Sequence, residues 1–135
     1  MTVLTLERAE TLARSALMAA RRLSLNPMSV CVIDLSGHLK VALREDGGGL
    51  AGVDIALGKA RAALTFGCTS KEITDALSGA PLSGASVMAV LDGRVALLQG
   101  GAPIRTPDGE LIGAVGAAGD LPDNDEKIVF EALST

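Results

Sequence analysis

Four kinds of side chain in this sequence carry groups able to bind or activate a small molecule. Lys59 and Asp54 lie five positions apart in one apolar stretch, Ile55-Ala56-Leu57-Gly58-Lys59-Ala60. Either can move a proton, Lys59 as an ammonium acid or its free amine and Asp54 as a carboxylate base. Arg105 follows Gly100-Gly101-Ala102-Pro103-Ile104, where two bare glycines leave backbone open to close approach. An ammonium and a guanidinium beside exposed backbone N–H groups suit a ligand that bears a carboxylate. The structural alternative is that the glycines serve close packing and Lys59 pairs with an acid. Asp125 and Glu126 are available for such a pair, or they complement the dipole of a final helix. His38 is the only histidine.

The elements that position these groups can be read from periodicity. Residues 5–25 form an amphipathic helix, with Leu6, Ala9, Ala13, Ala16, Leu17, Ala20 and Leu23 on one stripe and Thr5 as its cap. Asn26-Pro27 ends it. Met28 to Ile33 reads as a strand buried on both faces, Asp34-Leu35-Ser36-Gly37 as a turn, and His38 to Arg44 as an alternating strand. Val53 to Phe66 is a second helix of small residues. Thr69-Ser70-Lys71-Glu72 has capping-box spacing and opens a short third helix to about Leu77. Ser86–Leu91 and Arg94–Leu98 flank Asp92-Gly93, which predicts a hairpin. The Gly-rich stretch that follows supplies the last strand, and an acidic segment from Asp120 opens the final helix.

Helix, two strands, two helices, three strands, helix is an α+β order: an antiparallel five-stranded sheet flanked by helices, in one domain over residues 1–135.

Composition narrows the function. The chain is 48% hydrophobic with a mean hydropathy of +0.39, and no run of eighteen uncharged apolar residues predicts a membrane span. No signal segment is expected at the N-terminus. The apolar surplus points instead to contacts between copies, so a homo-oligomer is expected. A net charge of −4, no Trp, no Tyr and only Phe66 and Phe130 exclude nucleic acid as the expected partner. Cys31 and Cys68 make neither a disulfide framework nor a zinc site, and fit a reduced, cytoplasmic setting. Phosphate-loop, dinucleotide, nucleophile-elbow and zinc-protease motifs are missing from the sequence.

Three segments together resemble the GlcG/HbpS-like family. Residues Val30 to Leu39 look like its strand-turn-strand opening and Ile55 to Gly67 like its central helix. Gly100-Gly101-Ala102-Pro103-Ile104 with Ile112-Gly113-Ala114-Val115-Gly116 looks like its double-glycine close. The resemblance runs in order along almost the whole chain. It implies a profilin-like, PAS-like antiparallel sheet assembled into oligomers, in a family that includes glycolate-utilisation proteins and haem-binding sensor components.

That resemblance makes haem a possible cofactor. Haem iron takes His, Cys, Met or Tyr, so His38 is the candidate iron ligand, with Cys31, Cys68 and the methionines behind it. The leading expectation is an oligomeric small-molecule-binding protein. Its ligand would be a small organic acid or a haem-like tetrapyrrole, held by Lys59, Arg105, Gly100 and Gly101. One alternative is a cofactor-independent catabolic enzyme acting on a small carboxylate or keto acid, with Lys59 or Asp54 as acid/base. The other is a structural or regulatory subunit whose glycines only pack.

Overall fold

The structure is a computed structural model that describes residues 2–135. In chain order it contains α1 (Leu6–Arg22), β1 (Ser29–Asp34), β2 (Leu39–Arg44), α2 (Gly52–Phe66) and α3 (Ser70–Leu77). Then come α4 (Pro81–Val90), β3 (Gly101–Arg105), β4 (Leu111–Ala118) and α5 (Pro122–Leu133). The four strands form one antiparallel sheet in the order β2-β1-β4-β3.

Alternation along the strands decides what each face meets. Val30 and Val32 of β1 and Val115 and Ala117 of β4 point to one face, where Leu12, Ala16, Ile128 and Val129 from α1 and α5 complete the larger core. Cys31 and Ile33 of β1 and Ala114 and Ala118 of β4 point to the other, against Ala56, Ala60 and Ala63 of α2. Buried on both faces, β1 and β4 read as continuous apolar runs.

Glycine sets how closely α2 lies on the sheet. A Cβ on Gly116 would fall on the Ala56 carbonyl oxygen, and one on Gly101 on the Lys59 carbonyl oxygen. Backbone therefore rests on backbone, and the alanine-rich face of α2 fills the remaining space.

The caps follow the sequence closely. Thr5 accepts from the Arg8 amide at 3.1 Å, and Thr69 and Glu72 make the reciprocal bonds of a capping box. The first helix is shorter than expected, closing at Arg22.

The expected five-stranded sheet is corrected to four strands. Ser86–Val90 belongs to α4, Arg94–Leu98 forms no strand, and the Gly-rich stretch supplies two strands, β3 and β4. A short apolar run carries no period that separates strand from buried helix, and Pro81 at the first turn favours the helix. Asp92-Gly93 explains the rest. Both residues have positive φ, 61° and 69°, as a hairpin turn would require, but they close the end of α4 instead. The Gly93 amide donates to the Met88 carbonyl at 2.9 Å and the Asp92 amide to Ala89 at 3.1 Å. Left-handed backbone serves both endings equally well.

Candidate functional site

The residues singled out in the sequence separate into a buried knot and a surface trough. Lys59 enters the knot from α2 and is 2% exposed. Its Nζ donates to Asp125 Oδ2 at 2.9 Å and to the Ala117 carbonyl at 2.8 Å. The other carboxylate oxygen of Asp125 accepts from the Asp120 amide at 2.9 Å. Burial pushes the Asp125 carboxyl up, opposed by the hydrogen bond and charge of Lys59. Gly100 completes the knot, since a Cβ there would come within 2.9 Å of Lys59 Nζ. Gly101 donates its amide to Ser70 Oγ at 2.9 Å. Lys59, Gly100, Gly101 and Asp125 are thus brought together: Lys59 and Asp125 bond each other, while the Gly100 carbonyl accepts from the Ala117 amide and the Gly101 amide donates to Ser70 Oγ.

Arg105 stands outside that group. Its guanidinium donates to the Gly67 carbonyl at 2.7 Å and to the Gly109 carbonyl at 3.0 Å, bracing the β3–β4 turn against the end of α2. Asp54 is exposed on the first turn of α2, one face round from Lys59.

The trough runs along the outer face of α2. Asp54, Arg61 and Thr65 follow one another at seven and four positions, so one side of the helix presents all three. The chain that leaves α4 crosses over this face, and Gly58 lets it lie close. A Cβ there would be 3.0 Å from Ala96 Cβ and from the Ala96 amide nitrogen. Three clefts result, each sharing residues with the next. The first, ≈ 380 Å³, lies between Asp54, Leu57, Arg61 and Arg94. The second, ≈ 500 Å³, shares Arg61, Arg94 and Val95 with it and reaches His38, Leu35 and Leu64. The third, ≈ 330 Å³, shares Thr65 and Leu91 with the second and is walled by Phe66, Val87 and Val90. One end of the trough is therefore charged and the other apolar.

His38 is held at the middle of the trough by its turn. Asp34 Oδ1 accepts from the His38 and Ser36 amides, both at 3.0 Å, and the Asp34 amide donates to the His38 carbonyl at 2.9 Å. Gly37, at φ +84°, makes the reversal possible. The imidazole is exposed and faces the cleft that also holds Arg61 and Arg94. Neither guanidinium forms an ion pair among the described residues. Arg61 is half-buried and Arg94 exposed, and a guanidinium without an ion partner beside a cleft is a ready anion receptor.

Arg61 and Arg94 carry no motif that marks them in the sequence. Arg61 has one signal, its helical spacing with Asp54 and Thr65, while Arg94 has none, and the spacing becomes informative only once the crossing over Gly58 is seen. The other candidate iron ligands are less suited. Cys31 is buried, its thiol donates to the Val53 carbonyl at 3.5 Å, and burial with the nearby Asp54 charge pushes it up to about 11. Burial also raises the Cys68 thiol. Burial thus disfavours the thiolate at both cysteines, and the thiolate is the metal ligand. Among the described residues no group of three His, Cys, Asp or Glu side chains is placed to hold a metal ion, and no helix is long and apolar enough to cross a membrane.

An antiparallel sheet with helices on both faces defines an α+β class of protein. Over residues 4–134 the sequence matches the family described as haem degrading protein HbpS-like, and the chain belongs to that family. The crystal structure of HbpS is similar at 31% identity and a TM-score of 0.86, covering 99% of this chain and 90% of that one. A PduOC:heme complex is similar at 28% identity and a TM-score of 0.87, covering 98% and 94%. Klebsiella pneumoniae protein ORFY is similar at 26% identity and a TM-score of 0.89, covering 99% and 91%. No curated protein sequence matches.

Proposed function

We propose that this protein binds an amphipathic, carboxylate-bearing small molecule in the trough on α2, and that a haem-like tetrapyrrole is its ligand. The observation that carries this reading is the joined polar and apolar clefts, with His38 between two unpaired guanidiniums and an apolar slot. The donor set fits the group. Phe66, Val87 and Val90 offer a wall for an apolar ring, Arg61 and Arg94 offer charge for carboxylates, and His38 offers a nitrogen to iron. Bound haem would supply the redox and ligand-binding chemistry of its iron. The protein's part is to orient the ring, neutralise its carboxylates and present one imidazole. The similarity to a PduOC:heme complex and to HbpS supports the same ligand class.

A small organic acid is the second ligand this trough suits, held at its charged end by Arg61 and Arg94 alone. The catabolic-enzyme reading draws less support, since Lys59 is turned inward on Asp125 while Asp54 faces solvent. Assembly into a homo-oligomer is part of the proposal. The apolar helix α4 buries none of its residues within the chain, which leaves an apolar surface for another copy.

The test is a haem titration followed by absorbance on the wild type, His38→Ala and Arg61→Ala. A saturable Soret shift, changed in position by His38→Ala and reached only at higher haem by Arg61→Ala, is the expected result. A shift indifferent to both substitutions would move the ligand out of the trough. With no shift at all, haem is excluded and organic acids become the ligands to titrate against Arg61→Ala.

A further inference from the structure

The two edges of the sheet are finished differently. On β3 the outer side is tied down: the Gly101 amide donates to Ser70 Oγ, and Arg105 beyond it donates to the Gly67 carbonyl. The opposite edge, β2, pairs only with β1. The Glu45 amide donates to the Met28 carbonyl at 2.9 Å, which sets the phase of the ladder. With Cys31 opposite Ala42 and Ser29 opposite Arg44, the Ala42 and Arg44 amides and carbonyls point away from β1. An edge of this kind is a template for another strand.

Beside that edge lies a groove of ≈ 780 Å³ between β2 and α1. Arg14, Leu17, Met18 and Arg21 of α1 line it at helical spacing, opposite Leu43 and Arg44. Met18 is 71% exposed and Leu17 and Leu43 are half-buried, so the floor is apolar and open. The rim is cationic. Glu45 pairs with Arg21 at 2.9 Å, which leaves Arg14 and Arg44 without ion pairs among the described residues. Asp46 sits at the strand's exit and Lys40 on the strand itself.

We propose that β2 and this groove are a docking site for an extended acidic segment of a partner protein. The segment adds as a fifth strand along β2. Its main chain takes up the free groups of Ala42 and Arg44, and alternate apolar side chains enter the groove over Leu17, Met18 and Leu43. Its acidic side chains, which alternate to the other face, meet Arg44 and Lys40. Backbone pairing supplies affinity, and the pockets and charges supply selection. The site lies across the sheet from the trough on α2, so the two can be occupied independently.

The probe is a fluorescent ten-residue peptide of alternating Glu and Val, titrated by fluorescence anisotropy with hydrogen exchange read on β2. Micromolar binding is expected, with slowed exchange at the Ala42 and Arg44 amides. Arg44→Glu, which leaves the outward main chain in place, is expected to weaken it at least about tenfold by reversing a rim charge. Ala42→Pro removes an outward donor that β1 does not use, and is expected to abolish binding while leaving thermal unfolding nearly unchanged. If Ala42→Pro fails to fold, Arg44→Glu and the exchange pattern decide alone. Absence of binding up to millimolar peptide overturns the proposal. So does equal binding of a Lys-Val peptide, or binding that leaves β2 exchange untouched.

Discussion

Lys59 Nζ and Asp125 Oδ2 lie 2.9 Å apart, with both side chains almost wholly out of water, at 2% and 3% exposure. The pair ties α2 to α5 through the C-terminal end of β4, because Lys59 also holds the Ala117 carbonyl there. Removing one partner strands the other charge in the interior, whereas replacing both with apolar groups strands none. Lys59→Met is therefore expected to destabilise the fold by about 3–5 kcal/mol. The double variant Lys59→Met/Asp125→Leu is expected to recover most of that loss. Urea unfolding of the two single variants and the double measures it, and equal losses in all three would refute the pairing as the source.

Gly116 is expected to tolerate no side chain. It lies on β4 opposite Cys31, and its missing Cβ leaves room for the Ala56 carbonyl oxygen and, within 2.8 Å, the Ala60 amide nitrogen of α2. Both obstacles are backbone, so no rotamer change relieves them, and α2 must lift from the sheet. Gly116→Ala is expected to cost at least about 3 kcal/mol, the upper range of overpacking. Gly79→Ala, where nothing lies within 4 Å, is the control and is expected to change little. Thermal melts of both variants give the comparison.

Most of the architecture is legible in the chain because local and tertiary preferences agree there. The capping box at Thr69, the alternating run at Leu39–Arg44 and the helix-breaking Asn26-Pro27 each signal one structure, and that structure forms. Pro81–Val90 fails for a physical reason: its apolar residues surround the helix without a stripe, so no period shows which state it adopts. Lys59, Gly100 and Gly101 are legible as residues that converge, and Asp125 as a possible partner. That they converge inward on each other depends on how closely α2 approaches β3 and β4, which no local pattern encodes. The trough is invisible for the same reason, since Arg61 and Arg94 meet only where distant chain crosses Gly58.

Asp120 gives the start of α5 a dependence on acid. Its carboxylate accepts from Asn124 Nδ2 at 2.7 Å, the Leu121 amide at 2.8 Å and the Asn26 amide at 2.9 Å. These bonds, the one from Asn124 foremost, hold its carboxyl below the ordinary carboxylate value. A carboxyl lowered by folding adds stability above its unfolded value, and the gain is lost as pH falls through the folded value. The junction between α1 and α5 is thus expected to loosen below about pH 4, where an unperturbed aspartate is half protonated. Asp120→Asn should narrow the difference in melting temperature between pH 6 and pH 3. An unchanged difference would place the acid response on other carboxylates.

The outer surface of α4 is expected to be an interface between copies. Leu82 and Val90 are each 83% exposed and Met88 39%, and no residue of the helix is buried in the chain. Large apolar side chains gathered on one helix are not the scattered exposure that any soluble surface shows. A charge placed at Leu82, which lines no part of the trough, costs little in the isolated chain because that side chain contributes little to its core, but it must be desolvated if another copy covers it. Leu82→Glu is therefore expected to leave the melting of the isolated fold within about 0.5 kcal/mol of wild type. Sedimentation velocity should show it shifted to a smaller species. Identical sedimentation of wild type and variant would place the contact between copies elsewhere on the surface, or show that none forms through α4.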